Sequence, residues 1–121
     1  MILVDTSIWI DHPRRADSPL TTLLQSVDVC THDMVIGELA CGNLGNRGEI
    51  LTLLQALPRL GSALQDEVLY FIEQHRLMGR GIGYIDAHLL AAVAIHAARL
   101  WTRDKRLQSI AKELGLIYEV H

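Results

Sequence analysis

Four carboxylates occupy positions where a carboxylate is costly: Asp5, Glu38, Asp86 and Asp104. Asp5 ends the apolar run Ile2-Leu3-Val4, and Asp104 closes Leu100-Trp101-Thr102-Arg103. Glu38 and Asp86 each interrupt an otherwise apolar stretch. An unpaired charge inside a protein costs several kcal/mol, so such acids need partners, and a shared cation serves several at once. Magnesium is a hard ion with oxygen ligands, held by one or two carboxylates with room left for substrate phosphate. Two ions about 3.5–4 Å apart can clamp the attacking and leaving oxygens of a phosphoryl displacement. Such a pair needs three or four carboxylates converging from different elements.

Each acid also has a plainer role open to it. Asp5 can cap a helix, although Thr6 and Ser7 offer the same service. Glu38 can be one exposed position on a helix. Asp86 can be the N-cap of the apolar helix that follows it. Asp104 can cap its own helix or pair with Arg103 or Lys105. Ser7, two residues after Asp5, and Thr102, two before Asp104, can orient a carboxylate or a bound water. What favours the cation reading is the coincidence of four such acids in one short chain.

The elements that would position them follow from the apolar pattern. Ile2–Val4 lacks polar alternation, as a parallel strand covered on both faces does. A helix opens at Thr6 or Ser7 and is stopped by Pro13. Ser18-Pro19 opens another, with Leu20, Leu23, Leu24 and Val27 at helical spacing. Val27–Thr31 reads as a second strand. Asp33 caps a third helix to about Cys41, stopped by Gly42. Further helices are expected over Glu49–Leu57, Asp66–Met78, Tyr84–Ala98 and Lys105–Leu114, with strands at Leu100–Thr102 and Leu116–Val120. Strands alternating with helices predict an α/β fold with a mainly parallel sheet flanked by helices. Sites in such sheets lie outside the carboxyl ends of the strands, where Asp5 and Asp104 fall.

The bulk properties set bounds. A chain of 121 residues, half hydrophobic, fits one globular domain spanning 1–121. The most apolar region, Ile82 to Leu100, is broken by Asp86, His88, His96 and Arg99, which predicts no membrane span. The N-terminus lacks the charged region and cleavage site of a signal peptide, and Cys30 and Cys41 read as small core residues. A cytoplasmic protein is expected. The formal charge of −3 argues superficially against nucleic acid, but two divalent cations would reverse its sign. Nine Arg stand against two Lys, and the guanidinium fork suits phosphate.

Asp5-Thr6-Ser7, Gly37-Glu38-Leu39, Tyr84-Ile85-Asp86-Ala87 and Thr102-Arg103-Asp104 resemble, in order and spacing, the motifs of PIN-domain ribonucleases. Length and starting point are similar to the VapC toxins of toxin–antitoxin pairs. The resemblance implies a three-layer PIN-like domain and a toxin-type endoribonuclease. It implies Mg2+ or Mn2+ at Asp5, Glu38, Asp86 and Asp104, with Ser7 and Thr102 as supporting catalytic hydroxyls. It also implies a homodimer and a higher assembly with a small cognate antitoxin. The opening Thr31-His32-Asp33 of the Glu38 helix departs from the Ser or Pro-type opening of many relatives. Leu39, Leu44, Leu51 and Leu54 offer either a docking place for an apolar partner helix or ordinary core.

Arg103 and Lys105, beside Asp104, are the leading candidates for RNA phosphate contacts; Arg14, Arg15, Arg47, Arg80 and Arg106 are further ones. His12, His32, His75, His88, His96 and His121 invite a transition-metal reading. However, i and i+2 on a helix face different ways, which separates His88 from Asp86. Gly79-Arg80-Gly81-Ile82-Gly83 lacks the Lys-Ser/Thr ending of a phosphate loop. The alternatives are another metal-dependent phosphoryl hydrolase acting on DNA or a small phosphoester, a receiver-like module, and a non-catalytic PIN domain that only binds partners. No second acid adjoins Asp5, as a receiver pocket would want, and all four candidate ligands are present.

Overall fold

A computed structural model describes residues 1–11, 19–26 and 28–120. The expectations placed on His12, Pro13, Arg14, Arg15, Ser18, Val27 and His121 lie outside the described residues. The elements run β1 (Ile2–Val4), α1 (Thr6–Asp11), α2 (Pro19–Gln25), β2 (Val29–Cys30), α3 (Asp33–Cys41), α4 (Arg47–Ala56), α5 (Gln65–Gln74), α6 (Tyr84–Ile95), β3 (Arg99–Trp101) and α7 (Lys105–Glu113).

The three strands form a parallel sheet in the order β2-β1-β3. Leu3 pairs with Cys30 on one side and with Leu100 on the other. Leu3 and Val4 are fully buried, which accounts for the unbroken apolar run of β1. Helices flank this sheet, giving the expected α/β class. The longest, α6, buries every residue from Ala87 to Val93, and its alanines let neighbouring backbone come close.

Three helices end by the same device. The N–H of the second residue past the cap returns to the carbonyl three residues before the cap: Leu77 to Ile72, Ala98 to Val93, and Leu116 to Ala111. This closure needs a left-handed residue in between. Gly115 supplies it after α7, but Arg76 (φ 52°) and Ala97 (φ 53°) supply it after α5 and α6. With no glycine at either place, α5 and α6 stop short of the expected Met78 and Ala98. The expected strand Leu116–Val120 is reduced to a single parallel bridge between Leu100 and Ile117.

Other expectations are corrected. Cys30 is buried, and burial pushes its thiol up, but Cys41 is exposed rather than part of the core. Leu39 and Leu54 are core, and Leu44 and Leu51 pack against it, so these four do not form a docking stripe. Among the described residues no helix is long and apolar enough to cross a membrane.

The cap of α3 is His32, not Asp33. Its Nδ1 accepts from the Met34 N–H at 3.0 Å, and its Nε2 lies 3.3 Å from Ser62 Oγ. Because Nδ1 accepts, the ring proton is assigned to Nε2 and points at Ser62. The ring is fully buried. Burial lowers its pKa, His88 lowers it further, and Asp33 opposes. The folded state therefore binds fewer protons here than the unfolded chain does. That contribution to stability is intact above the ordinary histidine value of about 6.5 and is lost as the pH falls below it. Thermal melts should show the protein less stable at about pH 5.5 than at about pH 7.5. His32→Asn, which keeps a capping acceptor, should flatten that dependence, and an unchanged pH slope would refute the assignment.

Candidate active site

Asp5 directly follows β1, and its N–H continues the ladder to Trp101 O at 2.9 Å. Its side chain is almost fully buried. Oδ2 accepts two hydrogen bonds, from Thr102 Oγ1 at 2.7 Å and from Ser7 Oγ at 2.8 Å. Each hydroxyl is itself aimed by a backbone donor. The Asp104 N–H gives to Thr102 Oγ1 at 3.1 Å, and the Arg103 N–H gives to Ser7 Oγ at 3.0 Å. With their acceptor sides taken, both hydroxyls turn their protons to the same carboxylate oxygen. Thr102 was expected near Asp104, and it also holds Asp5, from the far end of the chain. Gln108 braces the turn by donating to Thr102 O at 2.7 Å.

Neither Thr6 nor Ser7 caps α1, contrary to the sequence reading. Thr6 Oγ1 instead donates to Glu38 Oε1 at 2.9 Å, tying the start of α1 to α3. Sequence reasoning missed this role, because the contact joins residues far apart in the chain. Asp86 is the third residue of α6, not its cap. Gly83 occupies the cap, and its N–H reaches Asp86 Oδ2 at 3.3 Å. Asp104 does cap α7, with Oδ1 accepting from the N–H groups of Arg106 and Leu107 at 3.0 and 3.1 Å.

The loop that carries Asp86 toward Asp104 is pinned to α7. Arg80 forms a two-pronged pair with Glu113 at 2.9 and 3.1 Å. Gly81, at φ +82°, lies under Arg106, and a Cβ there would fall 2.6 Å from a guanidinium nitrogen. Its backbone angle favours glycine, whereas the Arg106 side chain is flexible enough to make room.

Asp86 feels the other three acids. Burial raises the pKa of Asp86, the Gly83 N–H opposes, and Asp5, Asp104 and Glu38 each raise it further. Among the described residues, however, no three His, Cys, Asp or Glu side chains form a ready metal cage. The arrangement is an open acidic cluster. Its donor chemistry fits a hard cation in one specific respect. Each carboxylate uses one oxygen within the protein, namely Asp5 Oδ2, Glu38 Oε1, Asp86 Oδ2 and Asp104 Oδ1. The other oxygen of each has no protein donor among the described residues. One oxygen fixes the side chain, and the second remains for a ligand.

The remaining candidates divide. Arg103 pairs with Asp11 at 3.0 Å, and Lys105 is exposed. Arg47 clasps Ala40 O. His88 is buried and packs edge-on against Tyr84 with ring centres 4.8 Å apart.

Two stability measurements test this description. Thr102→Val removes a donor from Asp5 and strands the Asp104 N–H; urea unfolding should show a loss of about 1–3 kcal/mol. At Asp86 the folded state favours the protonated carboxyl, so its contribution to stability is lost as the pH rises through the raised pKa. In a chelator at neutral pH, Asp86→Asn should therefore melt higher than the unsubstituted protein. A lower melting temperature there would mean that the four carboxylates do not repel as described.

Comparison with known proteins identifies the family of the chain. The profile of the PIN domain family matches residues 2–113. The chain is 48% identical over 117 residues to Ribonuclease VapC32 of Mycobacterium tuberculosis strain CDC 1551 / Oshkosh, covering 96% of this chain and 94% of the relative. The protein of the same name from strain ATCC 25618 / H37Rv matches to the same extent. PAE2754 from Pyrobaculum aerophilum shares the fold with a TM-score of 0.61 at 19% identity, covering 90% of this chain and 84% of that one. FitAcB from Neisseria gonorrhoeae does so with a TM-score of 0.57 at 21% identity, covering 93% and 94%. A profile match over most of the chain, together with near-full-length identity to named ribonucleases, places this protein in the PIN domain family, among its VapC-type members.

Proposed function

We propose that this chain is a toxin-type endoribonuclease. It hydrolyses RNA phosphodiester bonds with Mg2+ or Mn2+ held by Asp5, Glu38, Asp86 and Asp104, and a small cognate antitoxin restrains it. The observation that carries this reading is that each of the four carboxylates has one oxygen with no protein donor among the described residues, while Asp86 feels the charge of the other three. The relatives named as ribonucleases support RNA as the substrate.

In the reaction, a water oxygen bonds to phosphorus as the bond from phosphorus to the 3′-oxygen breaks. The products are a 5′-phosphate and a 3′-hydroxyl, which takes the water's proton. A bound divalent cation supplies positive charge at the phosphate and acidifies water beside it. The chain's own residues do the rest. Ser7 and Thr102 hold Asp5 in one rotamer, so its free Oδ1 keeps a fixed direction. Thr6 does the same for Glu38. In this reading Arg103 and Lys105, on either side of Asp104, bind phosphate, with Arg103 exchanging Asp11 for the substrate. The active assembly is a homodimer that forms a larger complex with the antitoxin.

Incubation with structured RNAs and with single-stranded DNA, with Mn2+ and with chelator, tests this reading. RNA cleavage should require the metal and should vanish in Asp5→Asn. Cleavage that survives chelation, or that Asp5→Asn leaves intact, refutes the metal mechanism. Expression from the native operon should co-purify a small partner protein. A lone protein that is harmless to its host would count against the toxin assignment.

A further inference from the structure

The sequence contains two lysines, and they lie seven residues apart on α7. Both line the same cleft, of about 630 Å3, together with Thr102, Gln108, Ser109 and Tyr118. Seven residues are two helical turns, so Lys105 and Lys112 project from one face. A volume of this size falls within the range of small-ligand sites. The cleft begins at Thr102, whose hydroxyl holds Asp5, and at Lys105, which follows Asp104. It then runs along α7 to Lys112.

The charge of the cleft opposes that of the chain. The protein is formally −3, yet this wall carries two ammonium groups against one carboxylate, Glu119. Glu119 Oε1 stands 4.0 Å from Lys112 Nζ, a loose, exposed contact worth little in water. Gln108 and Ser109 add hydrogen-bonding groups, and Tyr118 adds aromatic surface in the wall. Cationic groups along a groove, with an aromatic ring beside them, are what a single strand requires: phosphates track the charge and bases find a face.

We propose that this cleft binds the single-stranded RNA segment flanking the scissile phosphate, with Lys112 as its distal phosphate contact and Glu119 as a competitor for that lysine. The proposal rests on the ribonuclease reading and adds a substrate subsite to it. RNA would displace Glu119 from Lys112 on entering.

The test measures RNA affinity across a salt series with the cleavage-deficient Asp5→Asn protein, and cleavage kinetics with active protein. Lys112→Ala should weaken RNA binding about threefold to tenfold. It should also lower the slope of log affinity against log salt by about 0.7. Lys112→Arg should restore both. In kinetics the loss should appear in KM rather than in kcat. Glu119→Gln should shift affinity the opposite way, a result that a merely structural role for the pair does not give. RNA shortened on one side of the cleavage site should bind wild type and Lys112→Ala alike, which also identifies the flank.

If wild type cleaves RNA with metal but Lys112→Ala and Glu119→Gln behave as wild type, the subsite is refuted and the ribonuclease reading stands. If wild type neither binds nor cleaves RNA, both fall. If Lys112→Ala spares RNA but weakens the complex with a co-purified protein partner, the cleft belongs to that partner and the proposal is overturned.

Discussion

The organisation of the site depends on one carboxylate oxygen. Asp5 Oδ2 takes a hydroxyl proton from Ser7 on one side and from Thr102 on the other. The backbone after β3 directs both hydroxyls toward it. This junction joins the end of β1, the first turn of α1, the end of β3 and the cap of α7. A charged group at the end of a buried strand is tolerable because its hydrogen bonds are supplied in place, and hydrogen bonds to charged groups are stronger than neutral ones. The turn that serves Asp5 has little backbone left for the sheet. The N–H groups of Arg103 and Asp104 go to the two hydroxyls, and the carbonyl of Thr102 goes to Gln108. Among the described residues the segment after Gly115 makes one bridge, between Leu100 and Ile117.

Around this fixed point the other acids are arranged against their own repulsion. Asp86 carries the strain most plainly, because burial and three neighbouring carboxylates all disfavour its charge. What keeps it near them is the packing of α6 and the Arg80–Glu113 pair that ties the preceding loop to α7. Stability is given up locally for a charge arrangement useful only to a positively charged ligand, a conflict typical of functional sites.

How much of this could be read in the sequence depended on range. β1 and Asp5 were legible because three apolar residues and an acid are adjacent. The four acids stood out for the same local reason. Their mutual proximity was not legible, since it is set by sheet order and helix packing. The partnership of Thr6 with Glu38 was invisible for that reason, and so was the convergence of Ser7 and Thr102 on one oxygen. Helix ends failed differently. Gly42 announced its stop, whereas Arg76 and Ala97 adopt left-handed geometry without glycine's usual signal. His32 was passed over as a cap because Ser, Thr, Asp and Asn dominate that position. Its imidazole caps as the neutral ring, a state that burial favours.

The junction at Asp5 also ties the site to a long-range pairing of the fold. Ser7 and Thr102 are 95 residues apart in the chain, and both must be docked before Oδ2 has its two donors. Thr102 follows β3, so Asp5 gains its second donor only when β3 has paired with β1. Any opening that parts these two strands would release Asp5 from Thr102 and separate it from the Asp104 cap at the same moment.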